Sequence, residues 1–177
     1  VDKLPREELP VLVMPLGLLN TLQASPSGDS KNALLRKTRL QLESEVLPAY
    51  LSAQRWFHAI EKPITALQLE VGTEWTSSDG AQWLPLLINV AHKPDDVQRY
   101  FLPLGMLFED AADQHYHNLS PWLLAKVRQR ASMGILYDAL GDNVFCQFLL
   151  NEFVNEKRLP FPGGDVVFLM KSIIPPF

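Results

Sequence analysis

Two histidines in the stretch DQHYHN, His115 and His117, are the residues of this chain whose type and spacing best suit a metal ion. On an extended loop, alternate side chains share a side, so both imidazoles can turn toward one ion. A stable site needs a third or fourth ligand, and none stands at diagnostic spacing, so a polar surface loop ahead of Ser120 accounts for the pair without metal. Glu109, Asp110 and Asp113 lie close together, but paired carboxylates do acid–base work only when buried to different degrees. Among small and polar neighbours they read as a solvated helix or loop. Asp138 and Asp142 bracket a tight bend, and Asp142 is explained as a helix cap. Cys146 falls on the core side of a helix as inert packing. His58 and His92 are isolated.

Nucleotide chemistry has no recognisable cradle. Neither G-x-x-x-x-G-K-[ST] nor a G-x-G-x-x-G after a strand occurs, and H-R-D, D-F-G and G-x-S-x-G are also missing. Gly163-Gly164 reads as a hairpin turn. The most unusual chemistry sits in LPAYLSAQRWF, residues 47–57, where Arg55 stands beside Trp56 and Phe57 with Tyr50 earlier in the same stretch. A guanidinium can stack on an aromatic while its fork binds a carboxylate or carbonyls. That permits ligand recognition. With no basic partner or glycine loop nearby, the favoured reading is structural: a buried arginine that ties the end of a helix to a sheet, with Trp56 and Phe57 filling the seam.

The totals bound what those residues can serve. The chain has 177 residues, 47% of them hydrophobic and 20% charged, which suits one globular unit with an appendage. A net charge of −4 argues against a nucleic-acid or anionic-membrane surface. A single cysteine precludes an intramolecular disulfide and a cysteine-based zinc cage, and makes a reducing cytoplasm the simplest compartment. No apolar run approaches the roughly 20 residues of a membrane span. Val1 at the start and the apolar run DVVFLMKSIIPPF at the end suggest a fragment of a longer chain.

Three regions are expected to position these groups. Residues 1–31 form a lead-in, with LPVLVMP as a short edge strand limited by its prolines and SPSGDS as a connector. Residues 32–110 combine an amphipathic helix with a sheet. The helix starts at Ser30 or Asn32, carries Leu35, Leu42 and Val46 on one side and the Arg39/Glu43 pair on the other, and ends before Pro48. Three strands follow at 63–75, 81–93 and 97–108. Pro85 implies a bulge or an edge in the second, and Pro103-Leu104-Gly105 an interruption in the third. The short turns between them predict an antiparallel meander. Residues 111–177 form an extension: a helix through WLLAKVRQR started by Ser120-Pro121, a strand at 132–140, a helix from Asn143 to about Lys157 with Phe145, Phe148, Leu149 and Phe153 inward, and a final strand after FPGGD.

A family pattern emerges from specific stretches. Leu47-Pro48-Ala49-Tyr50-Leu51, then Gln54-Arg55-Trp56-Phe57, then Lys62-Pro63-Ile64 opening a strand, resembles the start of the maltokinase family, and in particular the maltokinases fused behind trehalose synthase in bacteria. Tyr100-Phe101-Leu102-Pro103-Leu104, and Gly134-Ile135-Leu136-Tyr137-Asp138-Ala139 followed by Phe145, agree. After RWF the family has a small turn with glycine and lysine, where this sequence has His58-Ala59-Ile60-Glu61-Lys62.

The resemblance implies an α+β cap, a curved antiparallel sheet embracing a helix in the manner of cystatin or monellin, leading to the N-lobe of a kinase similar to aminoglycoside phosphotransferases. It implies partners on the same polypeptide, an upstream trehalose synthase and a downstream kinase domain. In the full-length enzyme ATP and Mg²⁺ would serve transfer of a phosphoryl group to maltose. No catalytic, cofactor-binding or metal residue carries over to this chain. Tyr50, Arg55, Trp56, Phe57 and Asp138 remain as structural or interface residues. Two other functions fit the composition: a glucan- or protein-binding module with Trp75, Trp83 and Trp122 as an aromatic platform, or a small enzyme using His115 and His117.

Overall fold

Alternation along two long strands sets the architecture. In β4 (Gln82–Lys93), Leu84, Leu86, Ile88 and Val90 are buried on one face, while Trp83 is buried on the other. Successive side chains of a strand point to opposite faces, so this sheet is covered on both sides. The computed structural model describes residues 8–23, 33–57, 62–161 and 163–168. The fold is α+β, a strongly curled half-barrel sheet with few helices.

Seven strands form the main sheet: β1 (Val11–Val13), β2 (Ala66–Val71), β3 (Trp75–Thr76), β4, β5 (Asp96–Phe108), β6 (Leu123–Gln129) and β7 (Ser132–Asp138). Their order is β1-β6-β7-β5-β4-β2, with β3 paired to β4. β2, β4 and β5 make the expected meander, but β5 then pairs with β7 rather than β6. The stretch from the lead-in forms the edge strand β1, parallel to β6. A separate hairpin joins β8 (Arg158–Phe161) and β9 (Gly164–Val167).

Helix α1 (Leu18–Leu22) precedes a longer helical segment of α2 (Ala33–Gln41), a π turn (Leu42–Val46) and α3 (Leu47–Ser52). Leu35, Leu42, Val46 and Leu47 are buried, as their spacing predicts, and Arg39 pairs with Glu43 at 2.9 Å. The expected stop before Pro48 is wrong: the helix runs on to Ser52. The amide of Leu47 bonds to the carbonyl of Leu42, five residues back, and this widened turn lies immediately before the proline that can neither donate nor tolerate a close carbonyl. Thr38 Oγ1 donates to the Val13 carbonyl at 2.8 Å, tying α2 to β1. The connector SPSGDS and both candidate caps, Ser30 and Asn32, lie outside the described residues.

Both proline expectations in the strands fail for one reason. Pro85 of β4 stands opposite Pro103 of β5, and each strand is continuous there. Pro85 offers its carbonyl to the Gly72 amide at 2.8 Å, on the side away from β5. The Pro85–Pro103 pair is thus a position where neither residue needs to donate to the other. The β4–β5 irregularity lies instead between Ala91 and Lys93.

Residues 123–129 are a strand, not the expected helix. LLAKV is apolar enough for either period, and a short apolar run does not discriminate. A hairpin to β7 through Arg130, which has φ 55°, and pairing with β1 on the other side fix it as strand. Ser120–Trp122 forms only a single 3₁₀ turn. The region from Glu109 to Leu119 is helix α4, and α5 (Asn143–Val154) packs through Phe145 as expected, with Phe148, Leu149 and Phe153 half-buried. One core lies between the helical segment α2–α3 and the sheet, the other between the opposite sheet face, α4 and α5. No helix among the described residues is long and apolar enough to cross a membrane.

Candidate functional site

The end of α3 determines where the QRWF residues go. The Ala53 and Gln54 amides bond to the carbonyls of Tyr50 and Leu51 at 3.2 and 3.0 Å, and the Phe57 amide to that of Gln54 at 3.2 Å. These turns bring Phe57 back inward, fully buried against Tyr100 and His92, with ring centroids 5.1 and 5.9 Å away. Trp56 is 37% exposed and leans on Tyr100 at 5.8 Å. Arg55 is exposed and makes no hydrogen bond or ion pair with the described residues. The expected buried arginine is therefore wrong. An unpaired guanidinium is costly to bury, and the turn keeps it in water while Phe57 takes the core position. The family's departure at 58–62 falls largely outside the described residues, which resume at Lys62.

Tyr50 and Asp138 form the polar link through this seam. The Tyr50 hydroxyl donates to Asp138 Oδ2 at 2.8 Å, and the Leu140 amide donates to Oδ1 at 2.9 Å. Asp138 is fully buried. Burial raises its carboxyl above the usual range, although both hydrogen bonds oppose the shift. Burial, and then the charge of Asp138, push the Tyr50 phenol up strongly. Asp142 caps α5 through the Val144 amide at 2.9 Å and accepts from the Tyr137 hydroxyl at 3.1 Å. Burial and Asp142 likewise raise the Tyr137 phenol. The bend between the two aspartates is thus held by side-chain acceptors at each end.

Beside this link opens a groove of about 470 Å³ between the end of α3 and the Ser120–Trp122 turn. Arg55, Trp56, Gln54 and Glu45 line one side, Ser120 and Trp122 the other, with Tyr50 among the lining residues. The Trp122 indole lies directly against Gly141: a Cβ there would stand 2.2 Å from Trp122 Cγ. Only glycine at this position lets the indole approach the backbone so closely. A second cleft, of about 700 Å³, runs between the Ser77–Asp79 turn and α5 and includes Gln147, Asn151 and Glu152.

The remaining candidates separate. His115 and His117 lie on helix α4, where residues two apart point to well-separated directions, so the shared imidazole site of an extended loop does not form. His115 Nδ1 instead bonds the Ala111 carbonyl at 2.9 Å. Glu109 Oε1 accepts from the Met133 amide at 3.0 Å, holding α4 to β7. Among the described residues no three His, Cys, Asp or Glu side chains converge as metal ligands. Trp75 and Trp83 are buried, so they cannot join Trp122 in an exposed platform. They pack against Phe148 in a tilted arrangement, with ring centroids 6.4 and 5.1 Å apart. Cys146 is half-buried, its thiol raised by burial, and donates to the Leu140 carbonyl at 3.4 Å. Gly163 and Gly164 belong to the β8–β9 hairpin region as expected.

Sequence reasoning placed Tyr50, Arg55 and Trp56 together but missed Glu45, Gln54 and Ser120 and the placing of Trp56 and Trp122 in one groove. Gln54 was visible as a neighbour of Arg55. Trp122 was a platform candidate with Trp75 and Trp83, but no local pattern links it to Trp56 so far away in the chain. Residues 50–142 match the model of the maltokinase N-terminal cap domain family, a span that opens on Tyr50 and closes on Asp142. No curated protein matches the chain.

Proposed function

The chain belongs to the maltokinase N-terminal cap domain family, and from that premise we propose that it serves as a non-catalytic cap that buttresses the nucleotide-binding lobe of a maltokinase. Phosphoryl transfer depends on positioned phosphates and metal more than on covalent participation by the protein. A rigid half-barrel can contribute by restraining the lobe that does the positioning. In this proposal ATP, Mg²⁺ and maltose are handled by the catalytic core, on a cytoplasmic polypeptide that also carries a trehalose synthase upstream. The cystatin-like comparison and the continuation into a kinase N-lobe belong to the same proposal.

The observation that supports it most is helix α5. Its inward face carries Phe145, Phe148 and Phe153, yet its outward face also carries exposed apolar side chains: Val144, Leu150 and Val154 are 46%, 63% and 67% exposed. At 100° per residue these three lie within one 120° arc opposite the core stripe. The same arc also holds the exposed Asn143, Gln147 and Asn151, and exposed apolar side chains interleaved with polar ones suit an interface with a partner. The final apolar run, after FPGGD, offers no comparable patch among the described residues. There Val167 is exposed and Phe168 buried, and the later residues lie outside the described ones.

Titration calorimetry of this chain against the phosphotransferase core produced from the same reading frame tests the proposal. Binding is expected, with a loss of about tenfold or more for Leu150→Asp combined with Val154→Asp. No heat of association for the unaltered chain would sink it.

A further inference from the structure

The groove beside Tyr50 has a composition that the cap role does not use. We propose that it binds a neutral pyranose oligosaccharide, held between Trp56 and Trp122. Four features lead to this class of ligand. First, each indole is backed by protein: Trp56 by the Tyr100 ring at 5.8 Å and Trp122 by the backbone of Gly141. Aromatic faces fixed in this way give flat apolar contact with little ordering cost. Second, besides Tyr50, whose hydroxyl already donates to Asp138, the polar lining residues are Glu45, Gln54, Arg55 and Ser120, which together donate to and accept from hydroxyl groups. Third, the opposite charges of Glu45 and Arg55 leave no net charge between them, which favours a neutral ligand over an anion. Fourth, about 470 Å³ falls within the range of small-molecule sites, which combine a mostly apolar lining with a few placed polar groups.

A pyranose ring matches each feature. Its C–H face is apolar and flat enough to lie on an indole, and its edge is a row of hydroxyls. A purely aliphatic ligand would leave the Arg55 and Glu45 ends without function, and a phosphate would meet the Glu45 carboxylate. Arg55 gains particular meaning here. It stands in water with no hydrogen bond or ion pair to the described residues, so its donors can turn to a ligand without breaking an existing contact. This inference concerns a second site on the cap and does not rest on how the cap meets a catalytic core.

Tryptophan fluorescence and calorimetry with maltotriose and with cellotriose, on the whole 177-residue chain, test it. A saturable signal is expected with at least one of the two. Trp56→Ala should weaken it about tenfold and Arg55→Ala about threefold, both with unchanged far-ultraviolet circular dichroism. Both side chains are exposed, so neither variant depends on refilling a core; Trp122→Ala, which removes the support on Gly141, is the harsher companion. The proposal is overturned by the absence of saturable binding for both trisaccharides up to about 10 mM. It is equally overturned if the Trp56→Ala/Arg55→Ala double variant binds as the parent does.

Discussion

The Tyr50 hydroxyl meets the buried carboxylate of Asp138 at 2.8 Å and so joins the last helical turn to the end of β7 across 88 residues of chain. The Leu140 amide takes the other carboxylate oxygen. Asp138→Ala would leave the buried Tyr50 hydroxyl and the partly buried Leu140 amide without partners, and a loss of about 2–4 kcal/mol is expected in urea unfolding. Tyr50→Phe removes one donor and keeps the ring, so a smaller loss of about 1–2 kcal/mol is expected.

The same carboxyl sets a pH dependence with a definite sign. Burial raises its folded pKa above the unfolded value of about 3.9, so the folded state binds the proton more tightly. Stability from this group is complete below about pH 4 and is lost as the pH rises through the raised folded value. Asp138→Asn cannot ionise, and its amide can bond both Tyr50 and Leu140. The stability of the parent relative to Asp138→Asn should therefore decline from pH 4 to 8 in paired urea titrations. A difference that rises over this range would contradict the burial argument.

Neighbouring residues in QRWF should behave oppositely. Phe57 is fully buried, and Phe57→Ala should cost about 3–5 kcal/mol. Arg55 is exposed and unpaired among the described residues, and Arg55→Ala should change stability by no more than about 0.5 kcal/mol. Chemical denaturation of the two variants side by side is sufficient.

Gly141→Ala should act on the groove from behind. The added methyl would lie 2.2 Å from Trp122 Cγ and must displace the indole or the bend that carries it. A cost of about 1–3 kcal/mol is expected, together with a shift in tryptophan emission. Unchanged emission and stability would show that the indole does not rest on this backbone.

Charges on the outer face of α5 should be harmless to the isolated chain. Leu150 and Val154 are 63% and 67% exposed, so Leu150→Asp and Val154→Asp should each alter stability by about 0.5 kcal/mol or less. If either unfolds the chain, that face is already buried within this molecule and cannot be the surface offered to a catalytic core.

Patterns that repeat locally were legible in the amino-acid order. The alternation of β2, the Leu35/Leu42/Val46 stripe, the Asp142 cap and the inward phenylalanines of α5 all follow from periods of 2 or 3.6 residues and from one side chain reaching the backbone nearby. The stretches that carry the family resemblance are equally contiguous. Errors arose where a local rule met a distant partner. Pro48 sits in a helix because the turn before it is widened, and Pro85 and Pro103 sit in strands because they face each other. LLAKV became a strand because β1 and β7 flank it, and Arg55 stayed outside because Phe57 took the core.

Sequence alone thus determined which faces of the main elements are apolar, the turn and cap chemistry, and the family, since each is encoded over a few consecutive residues. Tertiary structure decided the strand order, the burial of Trp75 and Trp83, the Tyr50–Asp138 bond and the presence of Trp56 and Trp122 in one groove. The physical reason is range: hydrogen bonds and packing between residues dozens of positions apart are selected by chain closure and excluded volume, and no local periodicity records which distant partner a side chain will meet.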